Sequence, residues 1–515
     1  MKADNFMVDS EWWTLEDVYD RLPNFDSGEF ISDMSPEVKE RVEKCHAYLA
    51  DIIAAKNVTI YGVNTGFGKL STVSISPVDL KQLQLNLVRS HACGVGKPFA
   101  LGVIRITMVL KLMTWAKGYS GVRPKLVQLM VSMLNHDIFP LIPRQGSVGA
   151  SGDLAPLAHM ARAMVGEGDV HFQDRIMPAL LALREANLEP IILEAKEGLS
   201  LINGTQVSTA LGIRALSESH KLLEIADIAG ALSVEASLST RVVFTPKIHK
   251  LKKHPGQIAT ATNVYNMLKG SEIVRSHVDC GRIQDPYCIR CIPHVHGSSR
   301  ELFNNAENII NNEVNSISDN PLVFPNGEIM NSGHFHAEPI AQALDTLSIA
   351  MAEIGAISER RVNYFMRGIG DRIPMFGAVN PGLESGFMLA QVTSAALVSE
   401  NKTLAHPASV DSISTSAGQE DFVSMAPWAG RKCLRILANV SNVLAIELLV
   451  AGNVNHRFHK KISSGDGLIP VMNLLKRHHV LTVEDHPLAD DVQTINKLIQ
   501  SRKIGNSVKK CIKLL

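Results

Sequence analysis

The segment Ala337-Glu338-Pro339-Ile340-Ala341-Gln342-Ala343-Leu344-Asp345-Thr346-Leu347-Ser348-Ile349-Ala350-Met351-Ala352-Glu353-Ile354, continuing to about Met366, sets the fold class. Its apolar residues Ile340, Leu344, Leu347, Met351 and Ile354 recur at alternating spacings of four and three. That interval brings side chains onto one face of an α-helix, and the stretch is far too long for a strand. Comparable stretches run from about Val207 to Ala236, Gly386 to Asn401 and Cys433 to Ala451. Upstream, Ser35-Pro36-Glu37 offers an N-cap, a proline at the first helical position and an early acid, opening a helix towards Lys56. Long helices rich in alanine, serine and leucine predict antiparallel bundle packing, so the fold is expected to be mainly α.

Glycines and short turns cluster instead between residues 60 and 160. The expected organisation is an irregular N-terminal region over 1–205, a central helical bundle over 206–460 and a C-terminal helical segment over 461–515. No internal repeat or low-complexity tract interrupts it. Lysine plus arginine and aspartate plus glutamate both number 51 in 515 residues. That balance argues against nucleic acid or an anionic membrane as partner. The basic end (Arg502, Lys503, Lys509, Lys510, Lys513) reads as a solvated face. Seven cysteines, spread from Cys45 to Cys511, lack the density of a disulfide framework and suit a reducing compartment. The first residues lack the apolar run of a signal peptide, and no stretch approaches about eighteen uninterrupted apolar residues. A cytoplasmic protein is expected.

The stretch richest in chemistry is Gly146-Ser147-Val148-Gly149-Ala150-Ser151-Gly152-Asp153-Leu154-Ala155-Pro156-Leu157-Ala158. By composition it is a glycine-rich loop entering a helix, with Asp153 as a cap. A phosphate cradle would need a following Gly-Lys-Ser/Thr, which is missing. The segment resembles the self-cyclising motif of the aromatic amino acid ammonia-lyase family: the histidine, phenylalanine and tyrosine ammonia-lyases and related aminomutases. The likeness extends from roughly Tyr61 to Met425. It implies that Ala150, Ser151 and Gly152 condense without metal or added cofactor into a 4-methylidene-imidazol-5-one, abbreviated MIO. Glycine suits that turn because its bare backbone lets the amide nitrogen approach the alanine carbonyl carbon. Asp153 is expected to assist the proton transfers or to cap the following helix.

Other positions carry the resemblance further. Tyr61-Gly62-Val63-Asn64-Thr65-Gly66-Phe67-Gly68 is similar to the family loop whose tyrosine is the catalytic base. An ordinary tyrosine titrates near pH ~10, so Tyr61 needs help from hydrogen-bond donors or positive helix ends, and an alkaline optimum is expected. Asn203, in Leu201-Ile202-Asn203-Gly204-Thr205, corresponds to an asparagine near the electrophile, although Asn-Gly turns occur anywhere. By the same likeness Gln284 and Tyr287 support the site, Arg290 holds the substrate carboxylate, and Phe335 lines the pocket.

Substrate choice rests on two places. Ser90-His91 resembles the histidine lyases and also some tyrosine aminomutases, since a histidine can bond either an imidazole or a phenol. Gln419-Glu420-Asp421 resembles the histidine lyases, in which the glutamate sits near the imidazole. A carboxylate left unpaired against a phenyl ring would cost several kcal/mol. The resemblance therefore implies elimination of ammonia from histidine, with His91 and Glu420 reading the ring; a tyrosine lyase or aminomutase is the alternative. From another class, a non-catalytic helical scaffold of the same superfamily remains the rival. Phe422 and His334 depart from the usual histidine and asparagine, which bears on fine selectivity and leaves the electrophile untouched.

Two clusters mimic metal sites. Cys288 and Cys291 with His294 and His296 are too closely spaced for tetrahedral wrapping, and His334, His336 and Glu338 would share a face only in an extended segment. No metal is expected. The family further implies the ammonia-lyase/fumarase-like fold and a homotetramer whose sites draw on three subunits.

Overall fold

A computed structural model of the chain describes residues 4–8, 13–15, 17–19, 30–55 and 58–515. Helices carry the architecture. The longest are Gln206–Ala236, Ile292–Val314, Glu338–Met366 and Ala426–Phe458, with 31, 23, 29 and 33 residues. The stripe expected from Ala337 to Met366 is therefore a single helix, with Ile340, Leu344, Leu347, Met351 and Ile354 all buried. Near its start Ala337 and Ala341 pack against Ala426, where small side chains allow close backbone approach. The Ser35 hydroxyl accepts from the Val38 amide at 3.2 Å and caps Pro36–Ala54, as its sequence predicts.

The stretch from Gly386 becomes a helix only at Met388, running to Leu404. The Asp485 carboxylate accepts the Ser385 and Gly386 amides at 2.8 and 3.2 Å, and Gly386 turns there at φ +55°. The glycine is thus part of the entry turn. Two helices, Glu338–Met366 and Ala426–Phe458, are long and apolar enough to cross a bilayer by length and composition, with 67% and 78% of the apolar window buried inside the fold. Buried core helices have that composition too.

By packing, the chain divides into two units. The first comprises Met1–Arg214, Glu307–Leu344 and Pro407–Arg431; the second comprises Ala215–Ala306, Asp345–His406 and Lys432–Leu515. Residues 1–205 fall within the first unit and 461–515 within the second; the division by contact runs through 206–460 alone, where each of the four long helices supplies residues to both units.

In the first unit, shorter helices alternate with loops and small sheets. The helices that matter for the site are Leu80–His91, Leu101–Ala116, Leu154–Met164 and Glu197–Ile202. Val95–Pro98 pairs antiparallel with Pro143–Gln145, which leads into the glycine-rich loop. Leu101–Ala116 is buried on nearly every face, so its sequence shows no amphipathic period. Within it lies the fully buried Lys111.

The second unit is built around paired charges. Glu447 accepts from Arg361, from Ser233 at 2.6 Å and from Ser358 at 2.6 Å, while Asp227 takes Arg300 at 2.6 Å and His296 at 2.9 Å. Burial pulls the His296 imidazole below its ordinary range. Its Nδ1 faces Asp227, so this ring is a structural hydrogen-bonding group. Among the described residues, no three or more His, Cys, Asp or Glu side chains are grouped to hold a metal ion.

Candidate active site

The glycine-rich loop is held on two sides. On one, the Met425 amide donates to the Val148 carbonyl at 2.8 Å and the Ser424 hydroxyl donates to the Gly149 carbonyl at 2.9 Å. On the other, Gly152 pairs with Gly204, and the Asp153 amide donates to the Gly204 carbonyl at 2.8 Å. Gly152 has φ +77°, and a Cβ there would lie 2.2 Å from the Gly204 oxygen. Only glycine fits so tight a turn against another backbone.

Asp153 corrects one expectation. It makes no side-chain cap to its own helix, Leu154–Met164. Its carboxylate instead accepts the Ser208 amide at 2.7 Å and the Ser208 hydroxyl at 2.8 Å, at the start of Gln206–Ala236. The Asp153 side chain thereby satisfies an orphan donor of the second helix. Burial raises its carboxyl to about 6, against the pull of the Ser208 hydrogen bonds.

Tyr61 sits in a second loop. The Gly62 amide donates to the Thr65 hydroxyl at 3.0 Å, and the Gln84 side chain donates to the Gly62 carbonyl at 3.1 Å. Gln84 also accepts the Leu199 amide at 3.1 Å, which ties this loop to Glu197–Ile202. The phenol oxygen accepts the Gly68 amide at 3.0 Å, at the first turn of a short helix over Gly68–Leu70. A backbone donor at a helix start is the kind of support the sequence required for this tyrosine.

Asn203 follows directly on Glu197–Ile202. Two carbonyls at the end of this short helix, those of Ser200 and Asn203, accept the Lys111 ammonium at 3.0 and 2.6 Å. The helix is fixed at its other end by Lys196, fully buried and paired with Asp319 at 2.7 Å, and along its length Ser200 donates to the same Asp319 at 2.8 Å. The Asn203 side-chain oxygen is buried and has no hydrogen-bond partner. An orphan acceptor beside a cavity is a place for a donor on a ligand.

Two cavities meet at Ser151. The larger, about 920 Å³, is lined by Tyr61, Ser90, His91, Ser151, Asn203 and Glu420 together with the apolar Val73, Ile75, Leu83, Leu87, Leu199 and Ile202. The smaller, about 300 Å³, shares Tyr61, Ser151, Asn203 and Glu420 and adds Ala150, Phe335, His336 and Phe422. The Ser151 hydroxyl donates to Glu420 Oε1 at 2.7 Å, and the Thr415 hydroxyl donates to Oε2 at 2.7 Å. Burial lowers the His91 imidazole, partly opposed by its hydrogen bond to the Leu87 carbonyl and the field of Glu420. With Nδ1 bonded to that carbonyl at 2.9 Å, Nδ1 carries the proton and Nε2 of the neutral ring is left as an acceptor.

The first unit thus gathers Tyr61, His91, Ala150, Ser151, Gly152, Asn203, Phe335 and Glu420. Phe422 is largely exposed, stacks on His336 at 6.1 Å between centroids, and accepts a hydrogen bond from the His336 ring on its carbonyl at 3.2 Å. His334 lies outward, bonded to the Ser332 hydroxyl at 2.7 Å. Gln284, Tyr287 and Arg290 belong to the second unit and line neither cavity. Gln284 and Tyr287 are exposed there, and the Arg290 guanidinium lies 4.5 Å from the Tyr287 ring centre with its Nε buried and unpartnered.

Three supporting residues escape the sequence reading: Gln84, Lys111 and Thr415. Lys111 alone carries a signal, as a single charge within Met108-Val109-Leu110-Lys111-Leu112-Met113. Lysine in so apolar a run is buried only when paired or bonded.

Residues 20–472 match the family described as aromatic amino acid lyase. The histidine ammonia-lyase of Myxococcus xanthus is 43% identical, covering 99% of both chains, and that of Burkholderia ambifaria 46% identical, covering 87% of this chain and 89% of its own. Among solved structures, the histidine ammonia-lyase of Trypanosoma cruzi superposes with a TM-score of 0.90 at 38% identity, covering 99% of this chain and 96% of that one. The tyrosine aminomutase of Streptomyces globisporus also reaches 0.90, at 32% identity over 99% and 100%. The chain belongs to the aromatic amino acid lyase family, and its fold is the helical fold of these ammonia-lyases.

Proposed function

We propose that this protein eliminates ammonia from L-histidine to give trans-urocanate. The observation that carries the reading is the meeting of Tyr61, Ser151, Asn203, His91 and Glu420 around one cavity. The residues present fit an MIO group: Gly152 turns at positive φ with no space for a Cβ, and Ser151 faces both cavities. Formed from Ala150, Ser151 and Gly152, that group supplies an electron-poor alkene that makes the α-amine a better leaving group.

The chain's own side chains supply the rest. Tyr61 takes the β-proton as its phenolate and becomes a neutral phenol, and the Gly68 amide at 3.0 Å is the donor that supports the negative oxygen before the proton arrives. The His91 Nε2 accepts a ring N–H of the substrate. Glu420 Oε1, engaged by the Ser151 hydroxyl in the unmodified chain, becomes free once that hydroxyl is lost, so a carboxylate is then available to the imidazole. The orphan Asn203 oxygen accepts from the substrate and fixes its geometry. Gln284, Tyr287 and Arg290, lining neither cavity, reach the site from neighbouring copies in a homotetramer, where Arg290 pairs with the carboxylate. No metal, external cofactor, nucleic acid or membrane takes part, and the enzyme works in the cytoplasm.

A second reading, action on tyrosine, is favoured by the acceptor on His91, which would also take a phenol O–H. Supplying histidine and tyrosine separately and following urocanate or coumarate absorbance separates them. Coumarate or a β-amino acid from tyrosine, with no urocanate from histidine, would overturn the histidine assignment.

A further inference from the structure

Lys111 has no part in the reaction described so far, yet it bonds the backbone of Asn203, which lines both cavities. Every face of its helix is buried, and the lysine itself is fully enclosed. An ammonium there is costly unless bonded. Its partners are the Ser200 and Asn203 carbonyls at 3.0 and 2.6 Å. Glu197–Ile202 stops before it can satisfy these groups, so no later amide of its own reaches them. The charged groups that bear on the amine are Asp319 and Asp153, which favour its cation, and Lys196, which opposes it; burial outweighs them and brings it to about 7.

The backbone that Lys111 grips is the backbone the glycine turn rests on. Asn203 continues into Gly204, whose carbonyl accepts the Asp153 amide at 2.8 Å and whose backbone pairs with Gly152. A Cβ built on Gly152 would lie 2.2 Å from the Gly204 oxygen, so the two backbones are in direct contact and a shift of Gly204 would alter the turn. On the other side the Asn203 side chain faces the cavity.

We infer that Lys111 is a positioning residue: by clamping the Ser200 and Asn203 carbonyls it sets the Asn203-Gly204 backbone at the height that lets Ala150-Ser151-Gly152 condense and aims the Asn203 side chain at the substrate. The inference rests on the proposed MIO chemistry. In that condensation the Gly152 nitrogen bonds to the Ala150 carbonyl carbon. The Ala150 oxygen leaves as water with the amide hydrogens of Gly152 and Ser151. A second water takes the Ser151 hydroxyl and its Cα hydrogen. No oxidant or reductant is required.

The test compares wild type, Lys111→Met and Lys111→Arg as full chains, measuring the mass of the peptide holding residues 150–152, helical circular dichroism, and kcat and KM for histidine. Wild type lacking the two-water loss would defeat the MIO reading itself, independently of Lys111. With wild type dehydrated, Lys111→Met should fold with unchanged helicity while its dehydrated fraction and its kcat per dehydrated site each fall about tenfold, the size expected when buried carbonyls lose their donor. KM should move less, and Lys111→Arg, which keeps donors, should recover much of the dehydrated fraction. A Lys111→Met protein dehydrated and turning over within about twofold of wild type would overturn the inference. So would failure of both variants to fold, since the lysine would then serve the whole fold and not this backbone.

Discussion

At the scale of the residue, backbone space and hydrogen bonds decide what each group can do. A methyl at position 152 would sit 2.2 Å from the Gly204 oxygen. Gly152→Ala is therefore expected to leave residues 150–152 at their encoded mass, with no measurable ammonia release; a dehydrated and active Gly152→Ala would show that the turn has room to spare. Tyr61→Phe keeps the ring edge-on to Phe67, 6.4 Å between centroids, and removes only the oxygen. Loss of a general base should lower kcat about 10²–10⁴-fold while the two-water loss persists, and unchanged turnover would remove Tyr61 from the chemistry. Lys111 makes a prediction about pH. Burial holds its amine near 7 in the folded state, far below an unfolded lysine at about 10.4. Between those values the unfolded chain binds the extra proton, so this group adds stability as pH rises from about 7 to 10 and gives it up as pH falls through 7. Wild type should therefore gain melting temperature relative to Lys111→Met across that window; parallel curves would contradict the buried amine.

At the scale of the element, the short helix Glu197–Ile202 shows why packing and polar bonding must be read together. It is fully buried, pinned by Lys196 to Asp319, by Arg123 to Glu197 at 2.7 Å and by Gln84 to the Leu199 amide. Lys196 itself adopts φ +75°, an uncommon conformation for a side-chain-bearing residue. Asp319→Ala would leave a buried lysine without its counter-charge, a loss of about 3–5 kcal/mol. Thermal or denaturant unfolding measures it, and a change smaller than about 1 kcal/mol would mean the pair is dispensable. None of this was legible beforehand, because a six-residue helix has too few turns to show a period and its partners lie 74 to 119 residues away. The long helices were legible: a buried stripe repeated over eight turns, as in Glu338–Met366, leaves a trace that tertiary context does not erase. Leu101–Ala116 was not, since burial on all faces removes the contrast between faces.

At the scale of the whole molecule, the proposed site is divided between groups that one chain gathers and groups that it does not. Tyr61, His91, Ser151, Asn203 and Glu420 line one cavity of the first unit, whereas Gln284, Tyr287 and Arg290 belong to the second. If neighbouring copies complete the site, Tyr61→Phe and Arg290→Lys should each be nearly inactive alone. Mixed tetramers from co-expression should then regain part of the activity, because some sites receive both intact residues. Mixed assemblies no more active than either parent would place all eight residues on one chain or outside the site.

The sequence by itself determined which family's motifs this chain carries, and with them the proposal of a covalent electrophile. Ala150-Ser151-Gly152, Tyr61 and Glu420 were identifiable through their resemblance to the motifs of the aromatic amino acid ammonia-lyases, because those motifs are short runs that local order carries intact. The tertiary structure alone decided their supports. Asp153 caps a helix it does not begin, Gly68 donates to Tyr61, and Lys111 reaches past its own helix to hold Asn203. The physical reason is that a buried polar group must find a partner wherever folding brings one, and a linear chain does not record that distance.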